Sequence, residues 1–206
     1  SEATLAAVVT DDRHRKRMVG DLALIPRAAV LDPLLIVGMP PRVTAASGMD
    51  ALCHAVEAFI GHSNTRTTRQ NAIAAVRLIF ADLERAYRDG GDLEARFGMQ
   101  QAAYRAGLAF TRANVGYVHA VAHALGGRYG IAHGVCCAVA MPAVLRAYGA
   151  KAHVALAALA DATGIASGNV GASNAGRKAE ALIQAVEDLN RKLGLQLDES
   201  IRTITT

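Results

Sequence analysis

The chain has 206 residues, 52% of them hydrophobic and 19% charged, with a formal net charge of +4, seven His, three Cys and no Trp. That length holds one large domain or two small ones, and a high apolar fraction with a small net charge excludes low-complexity disorder. No stretch approaches the roughly 18 consecutive apolar residues of a membrane span, and the richest, residues 154–160, is Ala-dominated and reads as buried helix.

From the N-terminus, residues 5–9 and 27–31 are short apolar or β-branched runs closed by Thr10-Asp11-Asp12 and Asp32-Pro33, the pattern of two short strands. Arg13 to Arg17 is the one basic cluster, because the 22 Lys and Arg otherwise interleave with 18 acids. It reads as a solvated turn rather than a nucleic-acid contact. After Pro40-Pro41, Met49, Leu52, Val56, Phe59 and Ile60 recur at helical spacing up to Gly61. Further helices are expected over 67–88, stopping at Gly90-Gly91, and over 93–125 with a break near Gly116. Three more are expected over 134–148, 151–163 and 177–193, with a Gly/Ser/Asn-rich loop over 164–176. No internal repeat appears. The expected architecture is mainly α with a short β segment at the N-terminus.

The cysteines, Cys53, Cys136 and Cys137, are odd in number and lie in helical apolar surroundings. A disulfide framework is not expected, and a reducing, cytoplasmic setting fits the composition. Residues 1–12 carry neither the charged leader nor the apolar core of a signal peptide.

Two segments carry the chemistry. In Gly48-Met49-Asp50-Ala51-Leu52-Cys53-His54, Asp50 and His54 are four residues apart on one helical face, separated by about 6 Å along the axis. Such a pair is commonly a solvent-facing contact or a cap. Here Leu52, Val56, Phe59 and Ile60 surround it, and a carboxylate in that setting needs a partner to offset its desolvation. The second segment, Tyr117-Val118-His119-Ala120-Val121-Ala122-His123-Ala124-Leu125-Gly126-Gly127, is followed by Ala132-His133-Gly134. A lone core histidine commonly just satisfies a backbone carbonyl. Three histidines together with a distant Asp/His pair instead suggest a transition-metal site, since imidazoles and a carboxylate suit Zn²⁺ or Fe²⁺ rather than Ca²⁺ or Mg²⁺. Spacing alone does not separate ligands from neighbours among His119, His123 and His133.

At these residues the sequence resembles the iron-containing, or group III, alcohol dehydrogenase family. Gly48 to Ala58 resembles its first metal-binding segment, and Val118 to Gly126 with His133-Gly134 resembles its second. Leu31-Asp32-Pro33, Met39-Pro40-Pro41 and Met141-Pro142 also match, and the likeness runs from Ser1 to about Leu195. It implies an all-helical metal-binding domain of the dehydroquinate synthase-like type, with Asp50, His54, His119 and His133 as ligands of Fe²⁺ or Zn²⁺. His123 corresponds to a non-ligand position associated with cofactor and substrate, where it would relay a proton, and Phe110 to an aromatic of the substrate pocket. The implied reaction is hydride transfer between a small alcohol or aldehyde and NAD(P), the metal polarising the substrate oxygen.

The chain also departs from the family pattern. No Gly-rich dinucleotide fingerprint follows a strand, and Gly126-Gly127 and Gly90-Gly91 read as helix ends and turns. Residues 1–40 are therefore expected to be a remnant of the α/β nucleotide-binding domain and its connection, and 41–206 a C-terminally incomplete helical catalytic domain. Ala132 stands where the family usually has Pro before the last ligand histidine. Three readings stay open: the catalytic domain of an NAD(P)-linked dehydrogenase; a truncated metal-binding module without turnover; or a relative such as glycerol dehydrogenase, dehydroquinate synthase or maleylacetate reductase. The last is disfavoured by the full Asp/His/His/His pattern. Exposed apolar surface is expected to drive self-association, and no nucleic-acid or membrane partner is expected.

Overall fold

The computed structural model describes residues 4–12, 15–165 and 174–195. Strand β1 (Ala6–Thr10) pairs antiparallel with β2 (Lys16–Gly20), Ala6 opposite Gly20 and Thr10 opposite Lys16. Single 3₁₀ turns follow at Leu22–Leu24 and Pro33–Ile36, each capped by an aspartate, Asp21 and Asp32. The helices are α1 (Pro41–Ile60), α2 (Arg66–Arg88), α3 (Leu93–Ala113), α4 (Tyr117–Tyr129), α5 (His133–Ala147), α6 (Ala150–Thr163) and α7 (Ala175–Lys192).

The mainly helical architecture and the break near Gly116 agree with the sequence reading, and the strands differ from it. The second strand is Lys16–Gly20 rather than 27–31, which lies outside regular structure. Asp11 explains the choice: its carboxylate accepts from Arg15 N at 2.8 Å and from Arg17 Nε at 2.9 Å, closing a hairpin immediately after β1. Of the basic cluster, residues 16 and 17 lie in β2, and residues 13 and 14 lie outside the described residues. The 27–31 run has no strand to pair with, and prolines at 26 and 33 flank it. Gly126 and Gly127 also differ, lying inside α4, which ends at Gly130 in the left-handed region with φ 67°. Most of the expected 164–176 loop lies outside the described residues.

Helix α1 is the central element. Most of its residues from Thr44 to Phe59 are buried, and it packs against α2, α3, α4, α5 and α6. Local chemistry sets the boundaries of its neighbours. Thr65 and Thr68 form a reciprocal capping box at the start of α2, Asp92 caps α3 through Ala95 N, and Asn174 caps α7 through Arg177 N. Small residues let the helices approach closely. A Cβ on Gly134 would collide with the Ala46 backbone, and one on Gly48 with the Leu83 side chain. The first contact holds the start of α5 directly against α1, which brings His133 to Asp50.

Arg96 is almost fully buried without a carboxylate partner among the described residues. It donates to Gly90 O, Thr44 Oγ1 and Met39 O, tying the entry of α1 to α3. Among the described residues no single helix is long and apolar enough to cross a membrane. Cys53, Cys136 and Cys137 are buried free thiols.

Candidate metal centre

Asp50 and His54 project from α1, His119 and His123 from α4, and His133 and Cys137 from α5. Asp50 Oδ1 lies 3.4 Å from His119 Nε2 and 3.4 Å from His133 Nε2. His133 Nε2 in turn lies 3.6 Å from Cys137 Sγ. One donor atom from each of Asp50, His119, His133 and Cys137 falls within 4.8 Å of every other. His54 stands against this group, its ring stacked between His119 at 4.5 Å and Phe110 at 4.1 Å, with Nδ1 4.0 Å from Asp50 Oδ2. His123 flanks the centre, its ring 5.0 Å from that of His133 and 6.2 Å from that of His119. All six residues singled out in the sequence are therefore brought together.

Two functional residues carried no role in the sequence reading. Glu57 is buried, accepts from Val118 N at 2.7 Å and from His119 Nδ1 at 2.6 Å, and so both caps α4 and orients the imidazole. The available signal was its position seven residues after Asp50 on an otherwise apolar helix face. Cys137 follows His133 by four residues, the same helical spacing as Asp50 and His54. Two adjacent apolar-looking cysteines concealed it.

The charge pattern is that of a cation site. With its Nδ1 proton on Glu57, a neutral His119 turns the Nε2 lone pair toward the Asp50 carboxylate. Both Asp50 Oδ1 and His119 Nε2 are buried without a hydrogen-bond partner. Two facing acceptors in a dry site are costly unless a proton or a metal ion lies between them. Bonds of about 2.0–2.1 Å to N or O and about 2.3 Å to S would space tetrahedral donors by roughly 3.3–3.6 Å. The Asp50–His119, Asp50–His133 and His133–Cys137 spacings of 3.4, 3.4 and 3.6 Å fall in that range, and the other donor pairs of the group lie within 4.8 Å, so the residues fit a transition metal.

Protonation follows the same logic. Burial alone would raise the Asp50 carboxyl, but His119 and His133 outweigh it and hold it well below the usual carboxylate range. Burial opposes charge on His119, yet Asp50 and Glu57 lift it to about 10. Hydrogen bonding to Asp50, and then to Cys137, lifts His133 to about 9. His54 moves the other way, with burial lowering it to about 3 against the pull of Asp50. A hydrogen bond from Cys53 brings the Cys137 thiol down to about 7 against its burial, with help from His133.

A cavity of about 840 Å³ is lined by Glu57, Asn114, Gly116, Tyr117, Tyr148 and Lys151 among others, and by none of the clustered histidines.

Residues 44–199 match the model of the Fe-containing alcohol dehydrogenase family, C-terminal. The chain belongs to the iron-containing alcohol dehydrogenase family. Within it, the chain is 46% identical over 140 residues to Alcohol dehydrogenase 4 of Schizosaccharomyces pombe, covering 68% of this chain and 33% of that protein. It is 38% identical over 196 residues to the NAD-dependent methanol dehydrogenase of Bacillus methanolicus, covering 95% of this chain and 51% of that one. The fold superposes on the crystal structure of a 1,3-propanediol oxidoreductase with a TM-score of 0.89 at 37% identity, over 100% of this chain and 53% of the other. The chain thus spans a third to a half of the length of these iron-containing alcohol dehydrogenases.

Proposed function

We propose that this chain is the metal-binding catalytic domain of an NAD(P)-linked alcohol dehydrogenase or aldehyde reductase. The observation that carries the reading is the pair of buried, unpartnered acceptors, Asp50 Oδ1 and His119 Nε2, with His133 beside them. Asp50, His54, His119 and His133 would hold Fe²⁺ or Zn²⁺. Bound there, the metal would supply Lewis acidity toward the oxygen of a small alcohol or aldehyde, and NAD(P) would supply the hydride chemistry.

The chain's own residues set up that chemistry. Glu57 fixes the His119 tautomer, leaving Nε2 as donor. Low basicity keeps His54 neutral near pH 7, the state in which an imidazole binds a metal. Phe110 stacks on His54 and, in this reading, forms an apolar wall for the substrate carbon chain. His123, beside the centre and on the same face of α4 as His119, carries the substrate hydroxyl proton away or returns it.

In this reading residues 1–40 are the edge of a nucleotide-binding domain and 41–206 the helical catalytic domain. The reading extends to a cytoplasmic setting and to self-association through the exposed apolar side chains of the N-terminal segment, among them Met18, Val30 and Leu35. A stable, non-adhesive monomer in size-exclusion chromatography with light scattering would count against that association.

The test of function is elemental analysis of anaerobically purified protein, wild type beside His119→Ala, together with NADH or NADPH fluorescence. Near-stoichiometric Fe or Zn, lost in the variant, with nucleotide binding is the expected result. Metal without nucleotide binding favours a module without turnover, and absence of metal from the wild type overturns the reading.

A further inference from the structure

We propose that Arg96 and Gln100 are positioning residues that hold the connector 32–39 on α3 and thereby set where the N-terminal part of the chain lies relative to the metal centre. The inference rests on the reading above, in which residues 1–40 border the nucleotide side and 41–206 carry the metal side. It concerns the placement of those two parts and leaves the metal donors as they are.

The connector is held at its two ends. Gln100 Nε2 donates to Asp32 O at 3.0 Å, and Arg96 Nη2 donates to Met39 O at 3.0 Å. The two side chains stand one turn apart on α3, so they present a fixed spacing to the connector. Arg96 is only 1% exposed, and its guanidinium also donates to Thr44 Oγ1 at 2.6 Å, in the first turn of α1. One rigid fork thus keys the connector to the helix that carries Asp50 and His54.

Between the anchors, packing contributes little. Leu34, Leu35 and Val37 are exposed, and a Cβ on Gly38 would meet nothing within 4 Å. A cavity of about 120 Å³ lies between the connector and helices α1 and α3, lined by Ile36, Met39, Gly48, Ala51 and Met99 among others. Chain lying over unfilled space forfeits dispersion contacts on that side, so the hydrogen bonds at Asp32 and Met39 decide its register. Further toward the N-terminus, Thr4 is buried against Gly107, on the α3 face that continues from Arg96 and Gln100. Hydride transfer needs reacting atoms about 3–3.5 Å apart, and a misplacement of about 1 Å costs roughly a hundredfold in rate. An attachment that fixes one part against the other is what such a reaction requires.

The test places nitroxide labels on Leu22→Cys and Val154→Cys, both exposed, in the full chain and reads their separation by double electron–electron resonance. The native cysteines are buried and slow to label. A single narrow distance distribution is expected for this labelled parent. Gln100→Met keeps an unbranched side chain and loses the donor, and Arg96→Lys keeps the charge and loses the fork. Each should broaden the distribution and displace its maximum, with helical content by circular dichroism unchanged. A side chain serving stability alone would lower the denaturation midpoint and leave the distances in the folded molecule as they were. An unchanged distribution in folded Gln100→Met overturns the proposal, and so does a broad distribution in the parent, whether or not Arg96→Lys folds. The distances are read on metal-free protein, so absence of metal from the wild type removes the reading above and leaves this test standing.

Discussion

His119 Nδ1 meets Glu57 Oε2 at 2.6 Å, across 62 residues of sequence and between two helices, while the other oxygen of the same carboxylate accepts from Val118 N at 2.7 Å. One buried side chain therefore sets both the start of α4 and the direction in which its first histidine points. Replacing Glu57 by Gln keeps the shape but gives up the charge-assisted contact. Metal affinity is expected to fall about tenfold to a hundredfold, measured by competition against a chromophoric chelator, with Glu57→Asp intermediate.

Metal binding should be strongly pH-dependent. His119 and His133, raised to about 10 and about 9, hold protons at neutral pH that a metal must displace. Apparent affinity should therefore rise with pH through the neutral range and level off near those values. Isothermal titration in buffers of different ionisation enthalpy should show proton release. Affinity independent of pH between 6 and 10 would contradict the assignment of the donors.

The same raised values set the stability of the metal-free protein. A histidine whose folded pKa lies above its unfolded one stabilises fully below the unfolded value, about 6.5, and loses that contribution as pH climbs through the folded value. Metal-free protein should therefore lose stability between about pH 6.5 and 10. Denaturant melts across that window should show the fall, and bound Zn²⁺ should reverse its direction.

The α1–α5 contact makes a sharp steric prediction. Gly134→Ala places a Cβ against the Ala46 backbone, which cannot rotate out of the way as a side chain tip can. Overpacking of this kind costs about 1–3 kcal/mol. It should also part His133 from Asp50, so both the denaturation midpoint and metal affinity should drop together.

Ala132 offers the opposite outcome. Its φ of −54° and ψ of 131° suit proline, and no described residue accepts from its N–H. Ala132→Pro is expected to stabilise by about 0.4–1 kcal/mol by restricting the unfolded chain, read as a raised denaturation midpoint with metal binding unchanged.

Much of the site was legible because helical spacing is rigid. Asp50 with His54, and His119 with His123, fall on shared faces in any α-helix, and the helices themselves announced their ends through Gly61, Gly90 and the break before Tyr117. Glu57 and Cys137 were not legible in the same way. Their partners lie on other helices, and no periodicity within α1 or α5 encodes what packs across from them. The misplaced second strand has a related cause, since 27–31 and 16–20 are both short runs and only pairing across the Asp11 turn distinguishes them.

Helix α4 has no side-chain cap of its own: Gly116 precedes it, and its first amides are taken up by Tyr148 Oη at 3.2 Å and by Glu57. At 13 residues it is also near the length at which an isolated helix is marginal in water. Two of the clustered histidines thus ride on a segment whose order is borrowed from distant parts of the chain. The centre therefore exists only while α1 and α5 are docked around α4, and an ion held there would bind the assembled tertiary structure alone and stabilise it by mass action.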